Sequence, residues 1–294
     1  KRIRIYMRNK GVKMVISAAG MAICLLCGSC GDLQSPEKAG ILEPAGFYIE
    51  EVSRQVQKER EEARQEELEQ QKRERAARLE FYRVCESGTV VSDALSEAET
   101  SALFFDSEIP EEVFARMDGV SYVENEHIAL SELRYLRMLY RGFDGEAHVG
   151  EMVVNAQIAQ TVLEIFRHLY DQDYPIEKMR LIDDYGGDDD ASCLDNNTSG
   201  FNYRVVEGSD HLSRHAYGMA IDINPFYNPY VTYENGVEHI SPPGSGPYAD
   251  RSADFPYKIG GEGDLCLELF KERGFTWGGN WRTLKDYQHF QIDG

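Results

Sequence analysis

SRHAYGMAIDIN, residues 213–224, is the stretch from which most of the fold can be argued. In its second half apolar and polar side chains alternate, with Met219, Ile221 and Ile223 on one side and Asp222 on the other. Alternation with a period of two is typical of a strand that has one face against a core. We therefore expect Asp222 to project from the face opposite the apolar layer.

A second stretch, KDYQHFQ at 285–291, carries another polar residue next to an apolar one, His289 followed by Phe290. Together with His215 and Asp222, His289 completes a set of two imidazoles and one carboxylate. Such a set holds zinc in three of its four tetrahedral positions and leaves the fourth for water, as in catalytic sites. The sequence therefore predicts a Zn²⁺ site formed by His215, Asp222 and His289.

Asp286 is predicted to be the proton acceptor of this site. A water at the open zinc position needs a base that is not itself a ligand. Only two residues separate Asp286 from His289. A turn that enters the last strand would bring the Asp286 carboxylate near the metal without making it a ligand.

Two other polar groups are expected to stay outside the site. His211 precedes His215 by four residues and imitates a ligand pair on a helix, but Gly218 and the alternation after it favour loop and strand. The three aspartates at 188–190 lack the spaced oxygen ligands and the glycine of a calcium-binding loop. We interpret them as a solvated loop.

Two motifs carry a resemblance to a known family. The first motif combines Ser213, the spacing of six residues between His215 and Asp222, and an acidic residue three positions before a His-Phe pair. The second motif is FTWGGNW at 275–281. Both resemble motifs of the LAS zinc peptidases, the group of lysostaphin-type enzymes, D-alanyl-D-alanine carboxypeptidases and the hedgehog signalling domain. The resemblance is nearest to the D-alanyl-D-alanine carboxypeptidase branch, which also holds L-alanyl-D-glutamate endopeptidases, and it covers about 104–294.

This resemblance implies a zinc-dependent peptidase that acts on peptidoglycan stem peptides. The family uses an Arg to bind the substrate carbonyl or terminal carboxylate and to stabilise the oxyanion. Arg204, shortly before the zinc motif, is the candidate, with a surface or structural Arg as the alternative. Ser213 and Trp281 are the candidate substrate contacts, although large aromatic side chains are more often part of a core.

The bond that is cut can be argued only from the shape and charge of the cleft. A carboxypeptidase must recognise a free terminal carboxylate, for which a cationic Arg204 is a natural partner. The proline-rich insertion at 225–262 is more rigid than a Gly-Ser loop and could close one end of the cleft. We therefore expect removal of a terminal D-alanine. The alternatives are an L-alanyl-D-glutamate endopeptidase and a non-catalytic envelope protein that binds the cell wall.

The order of the predicted elements favours an α+β fold, with a small antiparallel sheet that carries the zinc site and helices that flank it. Periodicity and end signals predict helices near 107–118 and at 131–140, 155–170 and 264–273. Short strand-like runs are predicted at 179–182, 201–206, 219–223 and 289–292.

The N-terminal residues predict an export signal. Residues 1–30 combine basic residues, an apolar run and small residues before Cys30, and they resemble a lipoprotein-type signal peptide with its cleavage box. We expect a lipidated Cys30 that anchors the protein to a membrane of the bacterial cell envelope, facing the periplasm or the cell exterior. A plain secretory signal and an anchor that is never removed are the alternatives.

The remaining predicted segments follow in order along the chain. Residues 31–49 are predicted to be a linker, and 50–83, rich in Glu, Gln, Arg and Lys, a charged helical spacer. A second linker is predicted at 84–103, before the zinc peptidase domain at 104–294.

The charge of the chain argues against one class of partner. Lys and Arg number 31 against 51 Asp and Glu, which gives a formal net charge of −20. Such a surface repels phosphate backbones, so we expect no nucleic-acid partner.

Overall fold

The structure is a computed structural model that describes residues 3–4, 15–16, 44–92, 94–206, 209–261 and 263–293. Cys30, nearly all of the predicted signal peptide and most of the predicted linker at 31–49 lie outside these residues. The chain divides into two units, residues 1–68 and 69–294.

The first unit contains a short antiparallel pair, β1 (Ile3–Arg4) and β2 (Val15–Ile16), and the beginning of a long helix, α1 (Pro44–Val84). Side chains one turn apart bond along α1, as Gln55 does to Glu59 at 3.0 Å, which supports an exposed helix. The helix begins before the predicted spacer, within the predicted linker. Among the described helices none has the length and apolar character needed to cross a membrane.

The second unit mixes short helices with small sheets. Its remaining helices are α2 (Glu97–Ala102), α3 (Glu111–Met117), α4 (Ala159–Asp171), α5 (Asp189–Leu194) and α6 (Leu265–Glu272). Its strands are β3 (Phe105–Ser107), β4 (Leu133–Arg141), β5 (Ala147–Asn155), β6 (Lys178–Met179), β7 (Asn197–Thr198), β8 (Ala220–Asp222), β9 (Tyr230–Glu234), β10 (Val237–Ser241), β11 (Thr276–Trp277), β12 (Lys285–Asp286) and β13 (His289–Gln291).

Three antiparallel sheets and one parallel pair result. The strand orders are β3-β4-β5, β11-β13-β8 and β10-β9-β12, and β6 pairs with β7 in parallel. The predicted α+β class with small antiparallel sheets is confirmed.

The main core joins α4 to both the long β4–β5 pair and the strands β8 and β13. Val162 and Phe166 of α4 are buried, as the helical periodicity predicts. Phe270 of α6 stacks on Phe290 of β13, with 4.3 Å between ring centroids. The apolar face of the site-bearing strands therefore rests on the core.

The helix predicted at 131–140 is wrong, because β4 occupies this stretch. Every residue from 135 to 140 along β4 is buried, including Arg137. The guanidinium of Arg137 donates to the carbonyl of Cys85 at 2.7 Å, which makes its burial tolerable. A strand buried on both faces lacks the alternation by which strands are recognised, so its sequence could be read as a helix.

The segment 84–103 is not the linker that was predicted. Val91 and Leu103 are buried in a cluster with Leu139 and Val149 of the long strand pair. The backbone of Val91 donates to Ala147 at 2.8 Å. This segment is therefore packed on the sheet and belongs to the folded domain.

Two of the predicted strand-like runs are only partly strands. The run at 179–182 gives a strand at Met179 alone, before a 3-10 turn. Residues 201–206 form no continuous strand: the amides of Phe201 and Asn202 bond to the separate partners Val153 and His215, and the end of the run makes only an isolated antiparallel bridge, Val205 with Leu212.

We predict that Gly218→Ala destabilises the fold by about 2 to 5 kcal/mol. Gly218 has φ +65°, and a Cβ there would lie 2.5 Å from the backbone nitrogen of Asn155. A left-handed residue other than Gly costs about 1 to 2 kcal/mol and the overpacking about 1 to 3 kcal/mol. Chemical denaturation measures the loss. Gly186→Ala is the matched control, since its φ is +68° with nothing within 4 Å. Equal losses in the two variants would contradict the steric argument.

Candidate metal centre and active-site cleft

The pairing of β8 with β13 places two of the predicted ligands side by side. Asp222, the last residue of β8, lies directly opposite His289, the first residue of β13. Ile221 and Phe290, the next pair along, are fully buried on the opposite face. The alternation predicted from the sequence therefore sends both ligand side chains away from the core.

His215 lies on a 3-10 turn, Arg214–Tyr217, immediately before β8. The hydroxyl oxygen of Ser213 accepts a hydrogen bond from the backbone amide of His215 at 3.2 Å and caps this turn. Gly218 ends the turn in the left-handed conformation. On its far side, His215 Nδ1 donates to the carbonyl oxygen of Gly200 at 2.6 Å, which fixes the orientation of the ring.

Three donor atoms converge at the predicted metal site. His215 Nε2 lies 3.2 Å from His289 Nδ1 and 3.1 Å from Asp222 Oδ2, and His289 Nδ1 lies 3.0 Å from Asp222 Oδ1. Ligands bound to tetrahedral zinc at 2.0 to 2.1 Å stand about 3.3 Å apart. The spacing therefore fits a zinc-sized ion. Among the residues that the structure describes, this is the cluster of three side chains with metal-binding geometry.

The protonation of the two rings favours a cation between them. His215 Nδ1 donates to Gly200, and His289 Nε2 lies 3.0 Å from the Gln291 side-chain oxygen. In neutral rings the other nitrogens, which face Asp222, then carry lone pairs. Three acceptors that face each other repel one another unless a proton or a metal ion lies among them.

The charges at the site shift two pKa values, and each shift favours the charged form of its group. Burial alone would lower the pKa of His215, but the negative charge of Asp222 raises it. Burial alone would raise the pKa of Asp222, but the two histidines hold it well below its ordinary value. The carboxylate therefore stays charged and suited to bind a cation.

Asp286, the predicted base, lies beside the ligands and is not one of them. One of its oxygens is 4.0 Å from His289 Nδ1, and its Oδ1 is buried with no hydrogen-bond partner among the described residues. Burial raises the pKa of Asp286 to about 7. Gly278 allows this approach, because a Cβ there would lie 2.7 Å from the Asp286 Cβ.

The ligands and Asp286 line a cleft of about 320 Å³. Trp281 lies on its wall, with its ring centroid 5.3 Å from that of His289. Ser213 also lines the cleft, but its oxygen caps the turn that carries His215. It therefore helps to position His215, and the substrate contact predicted for it stays a prediction. His211 is exposed and is not among the converging donors.

Arg204 lies in the same cleft, where it forms an ion pair that the sequence did not indicate. Its Nη2 is 2.7 Å from Asp189 Oδ2. Burial alone would lower the pKa of Arg204, but Asp189 raises it, so the side chain is charged. Two of the three aspartates predicted to be a solvated loop thus have structural roles: Asp188 caps α5, and Asp189 holds Arg204.

A larger cavity of about 640 Å³ lies among other residues. Its floor includes Glu151, which accepts hydrogen bonds from Arg116, Tyr135 and Ser87. A buried carboxylate with this many donors is satisfied within the fold. The residues for which the sequence predicts chemistry line the smaller cleft instead.

Comparison with known proteins supports the resemblance. A family model described as D-alanyl-D-alanine carboxypeptidase matches residues 207–292. This segment holds His215, Asp222, Asp286 and His289, whereas Arg204 precedes it. The match confirms the predicted resemblance over this segment and supports a hydrolytic enzyme of the peptidase type. No curated protein and no solved structure matches the chain.

We predict that purified protein binds about one zinc ion per chain and that His215→Ala, Asp222→Ala and His289→Ala each abolish this binding. Each change removes one of three donors, and a two-donor site is no longer pre-formed. Metal analysis after dialysis measures the occupancy, and circular dichroism shows whether the variants are folded. His211→Ala, an exposed histidine near the site in sequence, is the control and should keep the metal. Full occupancy in a folded ligand variant would exclude that residue from the site.

Proposed function

We propose that the protein is a zinc-dependent peptidase that hydrolyses peptidoglycan stem peptides and removes their terminal D-alanine. The observation that carries the proposal is the cleft itself. It brings a three-donor metal centre, a free carboxylate and a charged arginine together, within and next to the segment that the carboxypeptidase family matches. Attachment to a membrane through Cys30 stays a prediction from the sequence alone.

The donor set fits zinc, and His215, Asp222 and His289 would hold it. Bound there, zinc would polarise the scissile carbonyl and lower the pKa of a water molecule. Asp286 Oδ1 is free to accept a proton from the attacking water and to hold it for the leaving amine. Arg204 contributes a permanent positive charge, which stabilises the negative charge that develops on the carbonyl oxygen.

Two features favour a terminal residue as the target. Arg204 Nε is buried and has no partner in the part of the chain that the structure describes, so the guanidinium keeps donor capacity despite Asp189. Tyr230 and Ser241, from the hairpin β9–β10 of the insertion, form part of the cleft wall. A walled cleft with an available arginine suits a chain end that bears a carboxylate.

One observation favours a second candidate, an L-alanyl-D-glutamate endopeptidase. Asp189 offsets the charge of Arg204 at 2.7 Å. This offset weakens the attraction for a terminal carboxylate more than the hydrogen bond to a neutral carbonyl. An arginine held in this way also suits an internal peptide bond.

Soluble pentapeptide muropeptide distinguishes the two reactions. We expect the zinc-loaded protein to release free D-alanine, which mass spectrometry of the products detects. Protein treated with a chelator is the control and should release none. Cleavage between L-alanine and D-glutamate, with the terminal D-alanine retained, would replace the first candidate with the second. An intact substrate would contradict both.

A separate prediction concerns the base. Asp286→Ala should keep zinc and lose about 100- to 10,000-fold in kcat, because a general base contributes this much while the ligands remain. Metal analysis and steady-state kinetics on the same preparation measure both effects.

Asp118→Asn is the matched control for this prediction. Asp118 is an exposed residue at the end of α3, and its change should leave kcat unaltered. Turnover of Asp286→Ala close to that of the unchanged protein would assign proton transfer to another group.

A further inference from the structure

Unpartnered polar atoms are concentrated in the active-site cleft. Six buried side-chain nitrogen or oxygen atoms make no hydrogen bond of good geometry among the described residues, although one of them, Arg141 Nε, forms an ion pair with Asp173 Oδ1 at 2.8 Å. Three of them, Arg204 Nε, Asp286 Oδ1 and Gln288 Oε1, belong to residues that line the cleft. Buried polar atoms are nearly always paired, so a group of exceptions in one cavity points to a ligand that completes them.

Gln288 has no role in the mechanism described above. Only 6% of the residue is exposed, and it lies between the base Asp286 and the ligand His289 in sequence. Its backbone carbonyl accepts a hydrogen bond from Ile223 at 3.1 Å, which fixes the main chain beside β8. The backbone is therefore held by the sheet, whereas the amide oxygen of the side chain bonds to nothing in the described protein.

The position is unfavourable for the fold taken alone. A buried amide oxygen without a donor costs folding free energy, and an apolar side chain of similar shape would avoid that cost. Met has nearly the same length and flexibility as Gln. An amide at this place therefore has a chemical explanation if a substrate supplies the donor.

We propose that Gln288 is a substrate-binding residue whose side-chain oxygen accepts a hydrogen bond from a backbone N–H of the stem peptide. This inference rests on the proposed function and specifies which part of the substrate the cleft reads. Arg204 offers donors for a carbonyl or carboxylate oxygen, and Gln288 offers an acceptor for an amide. A peptide presents both groups, so the pair fixes the direction in which the chain lies across the metal centre.

Peptide binding tests the proposal without requiring turnover. Zinc-loaded Asp286→Ala protein cuts the peptide about 100- to 10,000-fold more slowly, and titration calorimetry gives its Kd for pentapeptide muropeptide. Adding Gln288→Met should raise the Kd about 3- to 10-fold, the usual effect of one neutral hydrogen bond. Adding Gln172→Met, an exposed glutamine at the end of α4, is the matched control and should not change the Kd.

Two more measurements separate recognition from a structural role. The melting temperature of Gln288→Met should equal or exceed that of the unchanged protein, because an unpaired acceptor is removed. A second set of peptides has one amide N–H at a time replaced by an ester oxygen. At one position this replacement should weaken binding to protein with Gln288 but leave the Kd of Gln288→Met protein unchanged.

Each outcome decides the matter. An unchanged Kd, a melting temperature lowered by several degrees, or ester losses that are the same with Gln and Met at 288 would each overturn the proposal. Absence of any peptide binding would overturn it as well. Peptide binding that depends on Gln288, in a protein whose unchanged form cuts no stem peptide, would support Gln288 and refute the proposed reaction alone.

Discussion

The antiparallel pairing of β8 with β13 is the constraint on which the site depends. It places Asp222 opposite His289, close enough for their side chains to share one ion. A slip of one residue would turn His289 into the core and bring Phe290 into the cleft. Burial of Ile221 and Phe290 against α6 opposes that slip. The geometry of the predicted metal site is thus held by hydrophobic packing on the opposite face of the same strands. The three donor side chains, which repel one another without a proton or a metal ion among them, contribute little to it.

The third ligand is positioned by a different sheet. Two loops form backbone hydrogen bonds with the end of β5. The Asn155 amide donates to the Gly218 carbonyl at 2.9 Å, and the Phe201 amide donates to the Val153 carbonyl at 2.8 Å. Gly218 ends the turn that carries His215. Gly200, next to Phe201, accepts the hydrogen bond from the imidazole ring of His215. The long β4–β5 pair therefore fixes the imidazole from both sides. β5 approaches the predicted metal site through two backbone contacts that tolerate only glycine, since a Cβ on Gly200 or Gly218 would lie 2.5 Å from a backbone atom of Val153 or Asn155.

The sequence predicted the ligand strands well because their signals are local. Alternation around Asp222 and the short spacing before His289 needed no knowledge of the rest of the fold. The prediction was wrong for β4, where burial on both faces removes the alternation. It was also wrong for 84–103, because the few apolar residues of this segment are identified as core residues only once the sheet they pack on is known. The contact of Asp189 with Arg204 and the missing partner of the Gln288 side-chain oxygen could not be predicted, because whether a polar side chain has a partner depends on which distant residues surround it.

The insertion supports the strand that carries Asp286, the proposed base. β12 pairs with β9 of the insertion and sets Asp286 opposite Tyr230. Arg251 ties the insertion together through the carbonyl of Tyr227 at 3.1 Å, and its guanidinium lies 4.4 Å from the ring of Tyr287, the residue after the base. A change in the shape of the insertion would therefore move both the wall of the cleft and the proton acceptor. In the proposed mechanism, substrate choice and catalytic rate are therefore coupled through one short strand, because an exchanged insertion would also displace Asp286.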